Sequence, residues 1–354
     1  MQAAAGDMTV IKADRVETIT SGMIENGIIV IEDGRIKAIG NDVEIPETAD
    51  IIDVSDKTVF PGLVNPSSRI GLSASPGGGP SSNPHYRIVD ELYPHQDVYQ
   101  RILRAGFTTV GLVPGGTGVT GQGAIVRPMG RKPEEMIVAE SELLTIGFQA
   151  NDSNKKIIKD ALESAKSKTS SSDPRVKPLV NALQGKVPTF LTCRGPGEML
   201  HLMKLLKPYG KMRLVLIAGS EKYRIAGQLA DKKIPVVLPA QTDFEPPTRN
   251  RINVPAMLAD AGVKIALRPR ADTIQGHEDF FRQIAELVKS GLDQEIAKKA
   301  ITIHPAEMLG VDYRLGSLEA GKDANLLILS GAPMDVGTRI HMVMMEGKIV
   351  HKAP

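Results

Sequence analysis

Several features that are common in proteins are scarce in this sequence of 354 residues. Cys193 is the only cysteine, which excludes an internal disulfide and a zinc site built from several thiolates. Tryptophan is absent and aromatic residues make up 4% of the chain, which argues against base-stacking platforms and aromatic cages. The formal net charge is only +2, so no basic excess favours nucleic acid. No hydrophobic run approaches the roughly 18 residues that a membrane span needs. We therefore expect an enzyme-like α/β protein that binds neither nucleic acid nor membrane.

The first seven residues, MQAAAGD, contain neither the basic nor the apolar segment of an export signal. This pattern favours a cytoplasmic protein. A periplasmic location would follow if these small residues were the remnant of a signal that had been removed.

Both ends of the chain have the pattern of short strands. The predicted strands cover residues 10–13, 27–31, 35–39, 324–329, 342–345 and 348–350. Asp33 and Gly34 predict a hairpin turn between the second and third of them. We expect residues 1–60 and 311–354 to form one small β-sandwich domain from both termini, which would also anchor the chain ends.

Residues 61–310 alternate apolar strand patterns with amphipathic helical patterns. The predicted strands are 108–113, 189–192, 214–217, 235–238 and 264–267, and the predicted helices are 196–207, 220–232, 255–261 and 277–289. In the last helix Phe280, Ile284 and Leu287 share one face. Repeated strand-helix units predict a parallel sheet, and their number fits a (β/α)8 TIM-like barrel better than a doubly wound open sheet.

Two segments carry the composition of loops. Residues 72–87 include SPGGGPSSNP, which excludes regular structure and is typical either of an active-site lid or of a surface excursion. Residues 167–173 are rich in serine and are expected to be a solvated connector.

Several motifs resemble those of a known family. They are TVFPGLVN at residues 58–65, AGFTTV at 105–110, LGVDYRLGSLEAGKDANL at 309–326 and MEGKIV at 345–350. Together they are similar to the amidohydrolase superfamily, near its imidazolonepropionase-like branch. The resemblance implies a (β/α)8 barrel with a small β-sandwich built from both termini. It also implies a chemistry in which one or two metal ions polarise the scissile carbonyl and lower the pKa of a bound water.

The residues that match the family's metal-ligand positions are unsuited to a metal. Ser67 and Arg69 stand where the family has His-x-His. The later positions are matched by Thr145 for a bridging carbamylated lysine, by Thr192 or Arg194 and Ala218 for histidines, and by RPR at 268–270 for the catalytic aspartate. A guanidinium is always protonated and cannot bind zinc. We therefore predict that the metal site is absent and that no cofactor is bound, although a shifted alignment would retain Asp272 as one carboxylate.

The replacements share a positive charge. Arg69, Arg194 and Arg270 are expected to point from separate strands to one mouth, where clustered cations need an anion or carboxylates between them. One hypothesis is an anion pocket for a phosphate or carboxylate, formed by these arginines with Ser67 and Thr192. The alternative is a set of ion pairs in which the arginines meet buried acids. The acids nearest to them in the pattern are Glu198, Glu221 and Asp272.

Other motifs carry weaker signals. GTGVTG at residues 116–121 matches the dinucleotide pattern GxGxxG, but the strand-like run after it lacks the helix that a pyrophosphate site needs. Cys193 lies beside Arg194, whose charge would lower the thiol pKa, yet no base partner is assignable and a buried small residue is expected. No histidines form a close ligand pair, and only His85 and His95 would meet if the 72–87 loop covered the mouth.

These observations leave three functions open. The first is a non-catalytic binding, scaffolding or regulatory subunit with a small anionic ligand, acting with a catalytic paralogue or with itself. The second is a hydrolase of carbon-nitrogen bonds other than peptide bonds, working through an unrecognised site. The third is an NAD-dependent oxidoreductase, which requires a helix that starts near Gly121.

Overall fold

The computed structural model describes residues 8–72, 80–138, 143–168, 172–218 and 221–353. The strands are β1 (Met8–Glu17), β2 (Met23–Glu32), β3 (Arg35–Gly40), β4 (Asp50–Pro61), β5 (Leu63–Ser68), β6 (Ser81–Ser82), β7 (Phe107–Leu112), β8 (Gly118–Val126), β9 (Leu143–Gly147), β10 (Pro188–Thr192), β11 (Arg213–Ile217), β12 (Val236–Pro239), β13 (Asp243–Phe244), β14 (Arg251–Ile252), β15 (Ile265–Arg268), β16 (Leu326–Leu329), β17 (Ile340–Met345) and β18 (Lys348–Lys352).

The helices are α1 (Asp97–Arg104), α2 (Pro133–Met136), α3 (Asp152–Lys166), α4 (Lys177–Leu183), α5 (Pro196–Leu206), α6 (Ala226–Asp231), α7 (Val254–Asp260), α8 (Ile274–Glu278), α9 (Phe280–Lys289), α10 (Gln294–Ala300) and α11 (Ile303–Leu309). Single 3-10 turns lie at Ile88–Glu91, Lys207–Tyr209 and Lys222–Ile225. Within the described ranges, no helix combines the length and the apolar character needed to cross a membrane.

Strands from both ends of the chain build one seven-stranded sheet in the order β18-β17-β16-β4-β1-β2-β3. The centre is β4, which pairs parallel with β1 and antiparallel with β16. Ile36 of β3 and Met344 of β17 share one apolar core with Ile11, so the sheet folds over itself. Both termini therefore contribute to one β unit, as the sequence predicted. Its division from the rest at residues 60 and 311 stays a prediction.

The middle of the chain forms a nearly closed barrel sheet of eight strands, in the order β15-β12-β11-β10-β9-β8-β7-β5. Val215, Val237 and Ala266 lie in the core inside the barrel. Their neighbours Leu216 and Leu267 belong to the core shared with the helices, because side chains alternate across a strand. The helix α11 closes the end of the barrel where the strands begin, and its Met308 and Leu309 join the interior core. The protein thus has a mixed α/β fold with a barrel at its centre.

One strand departs from the predicted parallel barrel. β8 runs antiparallel to both β7 and β9, whereas the other barrel pairs are parallel. The chain reverses in residues 113–117 without a crossover helix, so β7 and β8 form a hairpin. Gly116 and Gly118 have φ angles of 112° and 90°, which are open mainly to glycine. The expectation of a uniformly parallel (β/α)8 barrel is wrong at this strand.

Residues 81–84 lie along the same hairpin. β6 pairs with the start of β8, and the Asn83 N–H donates to the Val119 carbonyl at 2.8 Å. The Gln122 side chain donates to the Pro84 carbonyl at 2.9 Å. The expectation that residues 72–87 lack regular structure is therefore wrong for Ser81–Ser82, because the open edge of β8 offers hydrogen bonds. Residues 73–79, and residues 169–171 of the serine-rich connector, lie outside the described ranges.

Candidate functional site

The carboxyl ends of the parallel barrel strands define the mouth, the edge at which barrel enzymes place their sites. Asp272, in the loop after β15, reaches across this mouth to the end of β5. Its Oδ1 accepts from the Ser68 hydroxyl at 2.6 Å and its Oδ2 accepts from the Arg69 N–H at 2.6 Å. The Ser68 oxygen also accepts from the Ile70 N–H at 3.0 Å. Asp272, the carboxylate that a shifted alignment would retain, therefore lies at the mouth. Both of its oxygens accept hydrogen bonds from the end of β5.

Arg268 is the arginine that shares the inward face of β15. It pairs with Pro239, two residues beyond the pair of Ala266 and Val237, which line the barrel core. Its side chain is half-buried, and its guanidinium donates to the Pro269 carbonyl at 3.4 Å. Burial lowers the pKa of Arg268 and Asp272 partly opposes this shift, but a guanidinium stays charged at neutral pH. Across the described part of the chain, no carboxylate lies within 4.0 Å of it.

Arg270, which the sequence predicts for the anion pocket, lies two residues beyond Arg268. Arg270 follows the end of β15, where strand alternation no longer sets the direction of the side chain. It is exposed and lines a separate cavity of about 400 Å³ together with Phe244 and Arg251. Its N–H donates to the Gln283 side chain at 2.9 Å.

The other two predicted arginines, Arg69 and Arg194, contact acidic residues through their backbone N–H groups. Arg194 is exposed, and its backbone N–H donates to the Glu198 carboxylate at 2.8 Å. Asp272 likewise accepts from the backbone of Arg69, whose guanidinium donates to the Val113 carbonyl at 3.3 Å. Asp272 and Glu198 thus bind the backbone amides of Arg69 and Arg194 and cap the ends of their strands.

Threonine hydroxyls and hydrocarbon line the remaining strand ends. Thr192 pairs with Ile217, which packs on the interior core. Thr145 pairs with the interior Phe190, and its Oγ1 is buried without a hydrogen-bond partner. The inward residue of β11 is therefore Ile217 rather than Ala218, which belongs to the core shared with the helices. Ser67 is buried at the end of β5, with its N–H on the Asn65 side chain at 3.2 Å.

These residues do not fit the metal on which the family's chemistry depends. Serine, threonine, isoleucine and arginine offer none of the imidazole, thiolate or carboxylate donors that zinc prefers. Throughout the described ranges, no group of three His, Cys, Asp or Glu side chains is placed to hold a metal ion. We therefore derive no chemical step through a metal.

A buried amine near the mouth was missed by the sequence analysis. Lys222 is fully buried, and its Nζ donates to the carbonyls of Arg194 at 2.8 Å and Cys193 at 3.4 Å. Burial lowers the pKa of Lys222. Burial also raises the pKa of the Cys193 thiol, which gives no support to the alternative in which Arg194 lowers it. The sequence gives no indication that Lys222 is buried, because the pattern around it is that of a solvent-exposed lysine on an amphipathic helix.

Among the histidines near the barrel, His277 is packed in the core, whereas His85 and His95 lie at the surface. His277 is fully buried, with Nδ1 donating to the Thr273 carbonyl at 2.8 Å and Nε2 accepting from the Asn65 side chain at 3.0 Å. Its ring lies 4.8 Å from that of Phe107, edge to face. Burial lowers its pKa. His85 and His95 are both exposed, and the His95 ring packs 5.7 Å from Tyr93.

The glycine motif at residues 116–121 forms a turn and the first residues of β8. A pyrophosphate site would need a helix whose amides open toward the ligand, whereas residues 118–126 are extended. The interpretation of this motif as a dinucleotide-binding loop is therefore wrong.

Part of the chain matches a known family model, and the fold is similar to that of a solved structure. Residues 195–350 match the family model described as the amidohydrolase family. The whole fold is similar to an amidohydrolase from Thermotoga maritima MSB8, with 27% identity, a TM-score of 0.84 and coverage of 98% of this chain and 100% of that chain.

Two curated proteins are similar over short segments. An imidazolonepropionase from Geobacillus sp. (strain WCH70) is 40% identical over 60 residues, which are 15% of this chain and 14% of that protein. A 5'-deoxyadenosine deaminase from Methanosphaera stadtmanae is 30% identical over 90 residues, which are 25% of this chain and 21% of that protein. The matched segments thus span less than a quarter of either relative.

Proposed function

We propose that this amidohydrolase-fold protein, whose homologues include hydrolases, is a binding or regulatory protein that holds a small anion at the barrel mouth. The observation that carries the proposal is the half-buried, inward guanidinium of Arg268, which lacks a carboxylate within 4.0 Å among the described residues. A charge taken out of water needs a partner. A phosphate or carboxylate supplies that partner with two parallel hydrogen bonds.

The surroundings of Arg268 support an anion rather than a cation. Arg69 contributes a second guanidinium at the end of β5, a strand that contacts β15. The nearby carboxylate of Asp272 is already bound to the end of β5. Thr192 ends β10 and pairs with Ile217, which packs on the interior core. Its hydroxyl is suited to bind an oxygen atom of a ligand.

The test is calorimetric titration with inorganic phosphate and with acetate. Arg268→Met keeps the length of the side chain and removes its charge, so we expect phosphate affinity to fall about tenfold or more. Stability should stay equal or rise, because an unpaired buried charge is replaced by an apolar side chain. Arg175→Met, which changes an exposed arginine, should leave both quantities unchanged. Absence of binding by either anion, or equal affinity in the Arg268→Met variant, would contradict the proposal.

The alternative function is hydrolysis of carbon-nitrogen bonds other than peptide bonds. It is favoured by the short matches to an imidazolonepropionase and a deaminase. Elemental mass spectrometry on protein purified without chelator separates the two. Near-stoichiometric zinc, iron or manganese would support the hydrolase and count against the anion site.

A regulatory role would need a partner. We propose a catalytic paralogue or a second copy of this chain, in line with the expectation from the sequence. Light scattering of the purified protein, alone and with such a paralogue, measures which of these complexes forms.

A further inference from the structure

A second cavity lies at the end of the barrel opposite to the mouth. It has a volume of about 490 Å³ and is lined by the first residues of β10 and β11 and by the residues that precede β12 and β15. The side facing the barrel axis is formed by Glu307 and Met308 of α11. This volume lies within the range of small-molecule sites, which is roughly 300–1,000 Å³.

The floor of this basal cavity is apolar and adaptable. It includes Met203, Met212 and Met308 together with Leu206 and Ile234. The three methionines are 9%, 9% and 3% exposed, so they are held in the core and still line the cavity. Methionine has an unbranched, polarisable side chain that adjusts to ligands of different shape. The floor is therefore suited to a hydrocarbon chain.

The rim of the basal cavity is strongly basic. Its charged residues are Lys207, Arg213, Lys232, Lys233, Lys264 and Glu307. Lys264 is paired with Glu307 at 2.6 Å. For the remaining four cations, no carboxylate of the described residues lies within 4.0 Å. The rim thus carries an excess of positive charge next to an apolar floor.

One residue of the rim, Lys233, has a backbone conformation that usually favours glycine. Lys233 follows the end of α6 with a φ of 52°, and the N–H groups of Lys233 and Ile234 close the helix on Ala230 and Leu229. Glycine is the residue favoured at such a helix end. A lysine held there directs one more ammonium group to the rim.

We propose that the basal cavity binds a small amphipathic anion, a carboxylate with a short hydrocarbon chain. The chain lies among the methionines and the carboxylate lies against Lys207, Arg213 and Lys232. A purely apolar ligand would desolvate these cations without a partner, and an inorganic anion would leave the methionine floor in water. This site is distinct from the proposed anion site at the mouth, which lies at the other end of the strands.

The experiment is calorimetric titration of the full chain with decanoate, with decanol and with inorganic phosphate, in the Arg268→Met background to remove the mouth site. We expect decanoate to bind with one-to-one stoichiometry and more tightly than the other two probes. Lys207→Glu combined with Lys232→Glu should lower decanoate affinity about tenfold or more. Neither ammonium makes a hydrogen bond or ion pair with a described residue, so folding should be preserved. Lys348→Glu, at an exposed lysine of β18, makes the same charge change elsewhere and should leave affinity unchanged.

Several results would overturn this proposal. One is equal binding of decanol or phosphate, and another is equal decanoate affinity in the double variant. A third is sedimentation with anionic phospholipid vesicles without binding of free decanoate, which would assign the basic rim to a membrane surface. Failure of phosphate to bind at the mouth of the unmodified protein would remove the proposed function and leave this inference intact.

Discussion

Two histidines, the fully buried His277 and the half-buried His304, join helices to barrel strands through one ring nitrogen each. His277 of α8 accepts from Asn65 of β5 and donates to Thr273. His304 of α11 donates from Nδ1 to the Ile265 carbonyl of β15 at 2.9 Å. Burial lowers the pKa of both rings, and their hydrogen bonds to backbone carbonyls only partly oppose this. Each ring is therefore built into the fold in its neutral form.

This arrangement predicts a loss of stability in mild acid. Below pH 6.5 the unfolded chain protonates these histidines while the folded chain keeps them neutral, so the unfolded state binds more protons and is favoured as pH falls. Each histidine contributes at most about 1.4 kcal/mol per pH unit until its lowered folded pKa is passed. Urea unfolding between pH 8 and pH 5 measures this slope.

The contribution of His277 can be isolated by substitution. His277→Gln should lower stability at all pH values because the Asn65 contact is disturbed, but its stability should decline less steeply below pH 6.5. His201→Gln serves as the matched control, since His201 is exposed on α5 and loses little water on folding. An unchanged slope in His277→Gln would refute the assignment.

At the scale of elements, strand positions were predictable and strand direction was not. The predicted strand 189–192 is β10 (Pro188–Thr192), and the predicted strand 264–267 is β15 shifted by one residue. The local pattern of apolar residues determines such positions. The direction of β8 depends on its pairing with β7 and β9, which the local sequence does not reveal. The glycines at its start therefore also matched the pattern of a phosphate-binding loop.

The candidate site was predictable to the same extent: the positions of its residues could be inferred from the sequence, but the direction of their side chains could not. The family motif placed an arginine at the end of β15, but the strand ends at Arg268, so a register of two residues decides whether Arg268 or Arg270 faces inward. The buried Lys222 was not predictable, because its burial arises from packing between strand ends that are distant in sequence. The sequence could therefore indicate which residues lie near the mouth. Which of their side chains point into the barrel depends on the register of the strands, which the sequence does not give.

The close packing of the β7-β8 turn on β9 predicts a strict need for glycine at position 147. A Cβ added to Gly147 would lie 2.1 Å from the Gly116 carbonyl oxygen, so either the turn or β9 must move. We expect Gly147→Ala to destabilise the protein by about 2 kcal/mol through this overlap. Urea unfolding gives the free energy. Gly227→Ala on α6 is the control, because nothing lies within 4 Å of its added Cβ and the helix should gain about 0.5–1 kcal/mol. Equal stability of Gly147→Ala and the unmodified protein would disprove the packing argument.

At the scale of the whole molecule, the terminal sheet is fixed to the barrel unit by buried charge as well as by apolar contact. Lys298 of α10 binds Glu17 of β1 at 2.9 Å, and the side chains are 7% and 10% exposed. Glu295 accepts from the same ammonium at 2.9 Å. Burial lowers the pKa of Lys298, but the hydrogen bonds to both carboxylates outweigh this and raise it overall. The contribution of the raised pKa is thus present at neutral pH and is lost only above about pH 10.

This contact predicts the outcome of a double-mutant cycle. Glu17→Gln should lower the free energy of unfolding by about 2 kcal/mol, less than for an isolated buried pair because Glu295 still partners the ammonium. Lys298→Met should be more costly, since it removes the ammonium group that binds the buried Glu17 carboxylate. The double variant should lose less than the sum of the two, because no unpaired charge remains. Urea unfolding of the four proteins measures the coupling. Strict additivity would mean that the terminal sheet is held to the barrel by apolar packing alone.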